Sequence, residues 1–140
     1  MKHMFYISYV EIYYYFFFSS LETLAHILNY FFDMGKNESQ VKFWGKLFSE
    51  IESNPIKQQL ISFNESIKET IEKRNSFTHR FPQNENDFRT TLTTTEGRNL
   101  LQCNMRKRIK NEEFLQNITE SSKLLESLIN NLKLEFDDIV

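Results

Sequence analysis

Residues that interrupt a helix are scarce in this chain, and this scarcity limits the folds open to it. The 140 residues include only three glycines and two prolines. These are the residues that most often mark turns and break helices, so few interruptions can be placed along the chain. A chain of this length corresponds to one domain that can bury a hydrophobic core. The sequence therefore predicts an all-α fold, a bundle of four or five helices, and a single domain over residues 1–140.

Capping residues and apolar spacing place the first two helices. The first is predicted over residues 10–33, with an earlier start open, and Gly35 suits its C-terminal cap. The second is predicted to begin near Asn37 or Ser39, which are both good N-caps. Its apolar residues recur at a spacing of three or four along one face, and they are Val41, Trp44, Phe48 and Ile51.

The second half of the chain is predicted to hold two more long helices and an excursion between them. The third helix begins at Asn54-Pro55 and stops near Arg80, because Pro82 disfavours helix at the residue before it. Residues 83–98 are polar and rich in threonine, which favours an irregular segment or a hairpin turning at Glu96-Gly97. Residues 99–110 are expected to be helical, and Asn111 caps the last helix. The apolar faces of the third and last helices comprise Leu60, Phe63, Ile67 and Ile71, and Phe114, Ile118, Leu125, Leu128, Leu132 and Phe136.

Charge, cysteine usage and the N-terminal run of aromatic residues exclude several classes of protein. The net charge of -2 argues against a broad electrostatic grip on nucleic acid, so an RNA contact must be local. Cys103 is the only cysteine, which excludes a cysteine-based zinc site, and we predict no metal and no cofactor. The apolar run over residues 4–18 contains Glu11 and is soon followed by Glu22, whereas a membrane span needs roughly 20 apolar residues. We therefore predict a cytoplasmic protein without a membrane segment.

Two polar rows lie on the predicted helices. Apolar positions of the third helix continue in steps of four into Asn75 and His79, with Arg74 and Thr78 in the adjoining row. These residues either cap the end of the helix, where Arg and His are favoured, or line a cleft. The row on the first helix is either solvated or brings Glu22 or His26 to face Arg74, where a carboxylate would hold the guanidinium. That row consists of Ser19, Glu22, His26, Asn29 and Asp33.

A family resemblance rests on the same residues. The segment RNSFTH at residues 74–79 resembles the R-x4-6-H signature of the HEPN superfamily, and SSLETLAHILN at residues 19–29 resembles the first helix of HEPN-like bacterial proteins. The resemblance covers about residues 10–82. It implies a small helical bundle, usually dimeric, and in many members a metal-independent ribonuclease that acts as a toxin, in phage defence or in RNA processing. Other members are inactive and bind a nucleotide or a protein partner.

Carried onto this chain, the resemblance makes Arg74 and His79 the catalytic pair and Asn75 the polar residue between them. RNA is cleaved when its own 2′-hydroxyl attacks the phosphorus, so a protein need only move protons and stabilise charge. His79 can act as general base or acid. Arg74 can bind the phosphate through two donors, and Asn75 can orient either group. Supporting roles are predicted for Glu22, His26 and Thr78.

Partners follow from the same hypothesis. RNA contacts are predicted at Arg80, Arg106, Lys107 and Arg108, although a solvated basic face is the alternative. One histidine supplies one proton transfer, so we expect a homodimer that brings two copies of the pair into one groove, with the N-terminal aromatic residues nearby. An antitoxin or another regulatory protein is the alternative occupant of that aromatic patch. The rival functions are an inactive HEPN-like module that binds a nucleotide or protein, and a plain helical interaction module.

Overall fold

The structure, a computed structural model, describes the backbone of residues 2–79, 90–95, 98–103 and 110–139, and the side chains of residues 8–76 and 110–138. In this part the chain forms a helical bundle with a two-stranded antiparallel excursion, which confirms the predicted fold class. The elements are α1 (Lys2–Phe31), a 3-10 turn (Glu38–Gln40), α2 (Gly45–Ser49), α3 (Asn54–Ser66), α4 (Lys68–His79), β1 (Thr90–Thr95), β2 (Arg98–Cys103) and α5 (Asn111–Ile139).

The hydrophobic core is shared by the helices and the loop before α2. The long helices α1 and α5 and the helices α3 and α4 all contribute to the packing. The core residues are apolar and almost fully buried, as the spacing of the sequence predicts for α1, α3 and α5. Examples from successive elements are Leu21, Leu28, Val41, Phe48, Ile51, Ile56, Leu60, Ile67, Leu128 and Leu132. Among the described residues, no helix combines the length and the apolar character needed to cross a bilayer.

The end of α1 is closed by a turn that the sequence predicts only in part. The backbone N–H of Met34 donates to the carbonyl of Asn29 at 3.0 Å. Asp33 and Gly35 both adopt the left-handed conformation, at φ values of 47° and 63°. Gly35 suits this conformation because it has no side chain beyond hydrogen, whereas aspartate is one of the few other residues that tolerate it. Helix α1 thus ends at Phe31, two residues before the predicted end at Asp33, and Asp33 instead of Gly35 takes the first left-handed position after it.

The second predicted helix is wrong in extent. Residues 37–51 form the 3-10 turn and the short helix α2 instead of one continuous helix. Val41, Phe48 and Ile51 are buried as predicted, but Trp44 is 43% exposed and lies just before α2 with extended backbone dihedrals. Val41, Phe48 and Ile51 are therefore buried although they do not share one face of a single helix. Trp44 is not part of a helix, and its side chain lies at the surface.

The third predicted helix is divided in two. A turn at Ile67 separates α3 from α4, although the Ile67 and Ile71 amides still donate to the carbonyls four residues before them. Ile67 departs from ideal helical dihedrals, with φ at -95° and ψ at 10°. Beyond the turn, Ile71 is only half-buried, and the buried residues among the described side chains of α4 are Thr70, Lys73 and Ser76.

The excursion between α4 and α5 is a β-hairpin. Strands β1 and β2 pair in register from Thr90 opposite Cys103 to Thr95 opposite Arg98. The predicted turn residues, Glu96 and Gly97, lie between these ends and outside the described residues. The expected helix over residues 99–110 is wrong for residues 99–103, which belong to β2. Cross-strand pairing with the threonine-rich β1 has overridden the local pattern, as is common for weak helical signals.

A buried chain of polar side chains joins three of the helices. The Tyr14 hydroxyl on α1 donates to the Asn117 side-chain oxygen on α5 at 3.0 Å. The Asn117 side-chain nitrogen donates in turn to the Thr70 hydroxyl on α4 at 3.1 Å. All three residues are buried, so each polar atom needs its partner inside the protein. These two hydrogen bonds fix the rotation of α4 relative to α1 and α5.

We predict that Asn117→Ala lowers the free energy of unfolding by about 2 kcal/mol or more, because it removes both bonds and leaves polar groups of Tyr14 and Thr70 in the core. The measurement is chemical denaturation followed by far-ultraviolet circular dichroism. Asn130→Ala, at an exposed position of the same helix, is the matched control and should change stability by less than about 0.5 kcal/mol. Equal losses in the two variants would contradict the role given to the buried chain.

Candidate functional site

A cleft of about 570 Å³ lies between α1, α4 and the loop before α2. It is large enough for a small organic ligand such as a nucleotide. The residues that line it combine aromatic rings with charged groups of both signs. They are Glu11, Tyr14, Tyr15, Phe18, Ser19 and Glu22 of α1, Trp44 before α2, and Ile71 and Arg74 of α4.

Phe18 and Asn75 both contact Arg74 at the wall of the cleft. Its guanidinium carbon lies 5.2 Å from the centre of the Phe18 ring, which is within the range of a cation–π contact. One terminal nitrogen of the guanidinium donates to the side-chain oxygen of Asn75 at 3.1 Å. The side chain is half-buried. These contacts restrict the orientation of a cation that faces the cleft.

The buried polar face of α4 explains why Arg74 reaches this position. Thr70, Lys73 and Ser76 recur every three residues and point into the bundle. Thr70 bonds to Asn117, and the Ser76 hydroxyl donates to the Lys73 carbonyl at 2.6 Å. The Lys73 ammonium forms an ion pair with Glu69. Because these residues fix the inward face of α4, Arg74, one turn after Thr70, is presented at the edge between α4 and α1.

The polar row of α1 divides between different surroundings. Ser19 and Glu22 line the same cleft as Arg74. Within the part of the chain that the structure describes, the ion pairs do not include one between Glu22 and Arg74, whose guanidinium lies on Phe18 instead. His26 is exposed and is not among the residues that line the cleft. Asn29 exchanges two hydrogen bonds with the backbone of Lys36, so it closes the turn after α1.

Comparison with families of proteins identifies the fold. Residues 1–140 match the HEPN_Cthe2314-like HEPN family. The chain belongs to the HEPN superfamily. Neither the comparison with curated proteins nor that with solved structures found a match.

Several residues predicted to act in catalysis or RNA binding lie partly or wholly outside the residues that the structure describes. The backbone of Thr78 and His79 belongs to the last turn of α4, but their side chains are outside the described residues. All of Arg80, Arg106, Lys107 and Arg108 is outside them as well. The structure therefore places Arg74, Asn75 and Glu22 of the predicted HEPN site and leaves the position of the His79 side chain as a prediction.

The aromatic lining of the cleft is the feature that the sequence alone does not predict. Glu11, Tyr15, Phe18 and Glu22 are spaced by four, three and four residues, which puts them on one face of α1. The spacing can be read from the sequence, but it does not stand out because many of the residues around it are also aromatic. No spacing in the sequence indicates that Trp44 lines the cleft. Its exposure arises because α2 is short and begins only after Trp44.

The acidic and histidine residues described in this HEPN domain do not form a group of three that could hold a metal ion. Glu11 and Glu22 lie on the same face of α1 but are separated by three turns, about 16 Å along the axis. Two carboxylates at this separation are too far apart to bind one cation together. The charged groups of the cleft are therefore suited to separate contacts with different parts of one ligand.

Proposed function

We propose that this HEPN domain is a metal-independent endoribonuclease that acts in the cytoplasm as a toxin of a toxin–antitoxin pair or as a phage-defence effector. The observation that carries the proposal is the position of Arg74. The arginine of an R-x4-H signature lines a cleft of nucleotide size, and Phe18 and Asn75 restrict its guanidinium. A cation held in place in advance can stabilise the charge that develops on a phosphate during cleavage.

The proposed mechanism uses the RNA as its own nucleophile. The 2′-hydroxyl loses its proton to a base and attacks the adjacent phosphorus, and the 5′-oxygen leaves with a proton from an acid. His79 is the proposed proton-transfer group, since an imidazole titrates near neutral pH. Arg74 is proposed to bind the non-bridging phosphate oxygens through two N–H groups, and Asn75 to orient the guanidinium.

A second candidate function is an inactive HEPN module that binds a protein partner or a nucleotide. Exposed apolar side chains on α1 favour a partner of some kind. Residues 9, 16 and 30 differ by multiples of seven, a spacing typical of helices that pack along each other. We call the exposed row formed by Tyr9, Ile12, Phe16, Ile27 and Tyr30 the apolar stripe.

The apolar stripe and the cleft lie on different faces of α1. At about 100° per residue, the stripe is centred more than about 90° around the helix from Phe18 and Glu22. A groove between α1 and α5, which contains Phe16 and Ile129, adjoins the stripe. A homodimer remains our proposal, with the stripe and this groove as its interface. The shared groove for two copies of His79 is proposed on the chemistry of proton transfer alone.

The catalytic pair is tested by substitution. We predict that Arg74→Ala and His79→Ala each lower RNA cleavage by about two orders of magnitude, because they remove charge stabilisation and proton transfer. Cleavage of total RNA in vitro and growth on induction are the measurements. Lys68→Ala, a change of an exposed cation on the same helix, is the control and should cleave as the wild type does. Equal cleavage by all four proteins would contradict the proposal.

Metal independence gives a second test. RNA cleavage should be unchanged in EDTA, and the products should end in a 2′,3′-cyclic phosphate or its hydrolysis product. An RNA with a single 2′-deoxy nucleotide at the cleavage position should resist, because it lacks the nucleophile. Loss of cleavage in EDTA with recovery in Mg²⁺ would instead indicate a metal-dependent reaction.

The dimer is tested at the apolar stripe. Light scattering at tens of micromolar protein should give twice the mass of the chain, and Phe16→Asp should give a monomer because it places a charge in the interface. Ile61→Asp, an equivalent change at an exposed apolar position of α3, should leave the dimer intact. A monomeric wild type with full RNA cleavage would rule out both the dimer and the composite site.

A further inference from the structure

One end of the cleft is built differently from the wall that holds Arg74. Here Trp44 and Glu22 line both the cleft and a small cavity beside it. That cavity, of about 10 Å³, is too small for a base, so a ligand at this end meets Trp44 and Glu22 from the cleft. This end therefore joins an aromatic surface to a carboxylate that can accept hydrogen bonds.

The carboxylate of Glu22 is available to a ligand. The side chain is half-buried, and it has no ion pair or hydrogen bond with any residue that the structure describes. An ionised carboxylate only accepts hydrogen bonds, and it prefers two adjacent N–H groups that reach both oxygens. A ligand that fits this end must therefore offer neighbouring donors.

Trp44 supplies the surface against which such a ligand can stack. Its side chain is 43% exposed although it lines the cleft, so part of the indole faces open space. Stacking of a nucleic-acid base on an aromatic side chain is a common source of affinity for single strands. Because Trp44 and Glu22 line the same end of the cleft, a flat, donor-bearing group stacked on Trp44 would share that end with the Glu22 carboxylate.

Arg74 and Glu22 line the same cleft. Arg74 lies over Phe18, and Glu22 follows Phe18 by four residues, about 6 Å along the helix axis. A single nucleotide with its phosphate at Arg74 would therefore have its base on the side of the cleft where Glu22 lies. Among the common bases, guanine alone has adjacent N1–H and amino donors on its Watson–Crick edge. Adenine and cytosine each combine an amino group with an acceptor, and uracil has one donor between two carbonyls.

We propose that Trp44 and Glu22 form a guanine-binding subsite next to the Arg74 phosphate site. Trp44 stacks on the base, and the Glu22 carboxylate accepts hydrogen bonds from N1–H and the amino group. The inference rests on the proposed function, since it assigns the base that lies beside the scissile phosphate, but it concerns binding and can be tested without cleavage.

The experiment uses the fluorescence of Trp44, which is the only tryptophan of the chain. Guanosine, inosine and adenosine 3′-monophosphates are titrated into the whole protein, with excitation at the red edge of indole absorption. Guanosine monophosphate should quench the emission with an affinity about ten-fold or more above that of adenosine monophosphate. Inosine monophosphate keeps N1–H but lacks the amino group, and it should fall between the two. Equal affinities, or no quenching by any of them, would overturn the proposal without the need for a variant.

Two matched variants locate the selectivity. Glu22→Gln should lower the affinity for guanosine monophosphate about ten-fold or more and leave that for adenosine monophosphate unchanged. Glu72→Gln makes the same change at an exposed position of α4 that does not line the cleft, and it should keep the preference for guanosine. Arg74→Ala should weaken all three nucleotides by a similar factor, because each carries the phosphate. Loss of the preference in Glu72→Gln, or its retention in Glu22→Gln, would overturn the proposal.

The outcome of the nucleotide-binding experiment can be distinguished from the outcome of the RNA-cleavage experiment. RNA cleavage by a protein that binds the three nucleotides equally would remove the guanine subsite and leave the proposed function. Selective binding of guanosine monophosphate by a protein that cleaves no RNA would leave the subsite and remove the nuclease. A circular dichroism spectrum of each variant confirms that the fold is kept.

Discussion

The hydrogen bonds from Tyr14 to Asn117 and from Asn117 to Thr70 are the constraint on which the site depends. Apolar contacts between helices tolerate small rotations, because one packed arrangement of methyl groups is nearly as good as another. Two linked hydrogen bonds in a buried place do not, since a rotation that breaks either one loses a buried polar contact that water cannot replace. The rotation of α4 that presents Arg74 to the cleft is therefore set by polar groups in the core.

Helix α1 is apolar or aromatic around most of its circumference, and different sides of it have different surroundings in the structure. One side, with Leu21 and Leu28, enters the core. A second side, with Phe18 and Glu22, lines the cleft. A third side is the apolar stripe, which is exposed in the single chain. A sequence that appears uniformly aromatic thus serves three surfaces, and only the first of them is explained by folding alone.

The sequence predicts the long helices and much of the core because apolar residues at a spacing of three or four must be buried together. For Arg74 and Asn75 it leaves open a helix cap or a cleft, and for the excursion an irregular segment or a hairpin; the structure places Arg74 at a cleft and forms the hairpin. The sequence does not predict the turn at Ile67, because no glycine or proline marks it. The helical hydrogen bonds donated by the backbone N–H groups of Ile67 and Ile71 also persist across it. The exposure of Trp44 and the buried Thr70 follow from such small changes of register, which depend on packing between distant segments.

The hairpin between α4 and α5 has a consequence for how the chain tolerates change. Its register pairs Thr90 directly with Cys103, so the two ends of the hairpin lie next to each other, about 5 Å apart. A segment whose ends already meet can be lengthened, shortened or exchanged without altering the distance that the rest of the connection must span. Loop closure also costs little more when such an insertion grows. The bundle and the hairpin can therefore diverge at different rates during evolution, with new specificity added in the hairpin while the core of the fold stays fixed.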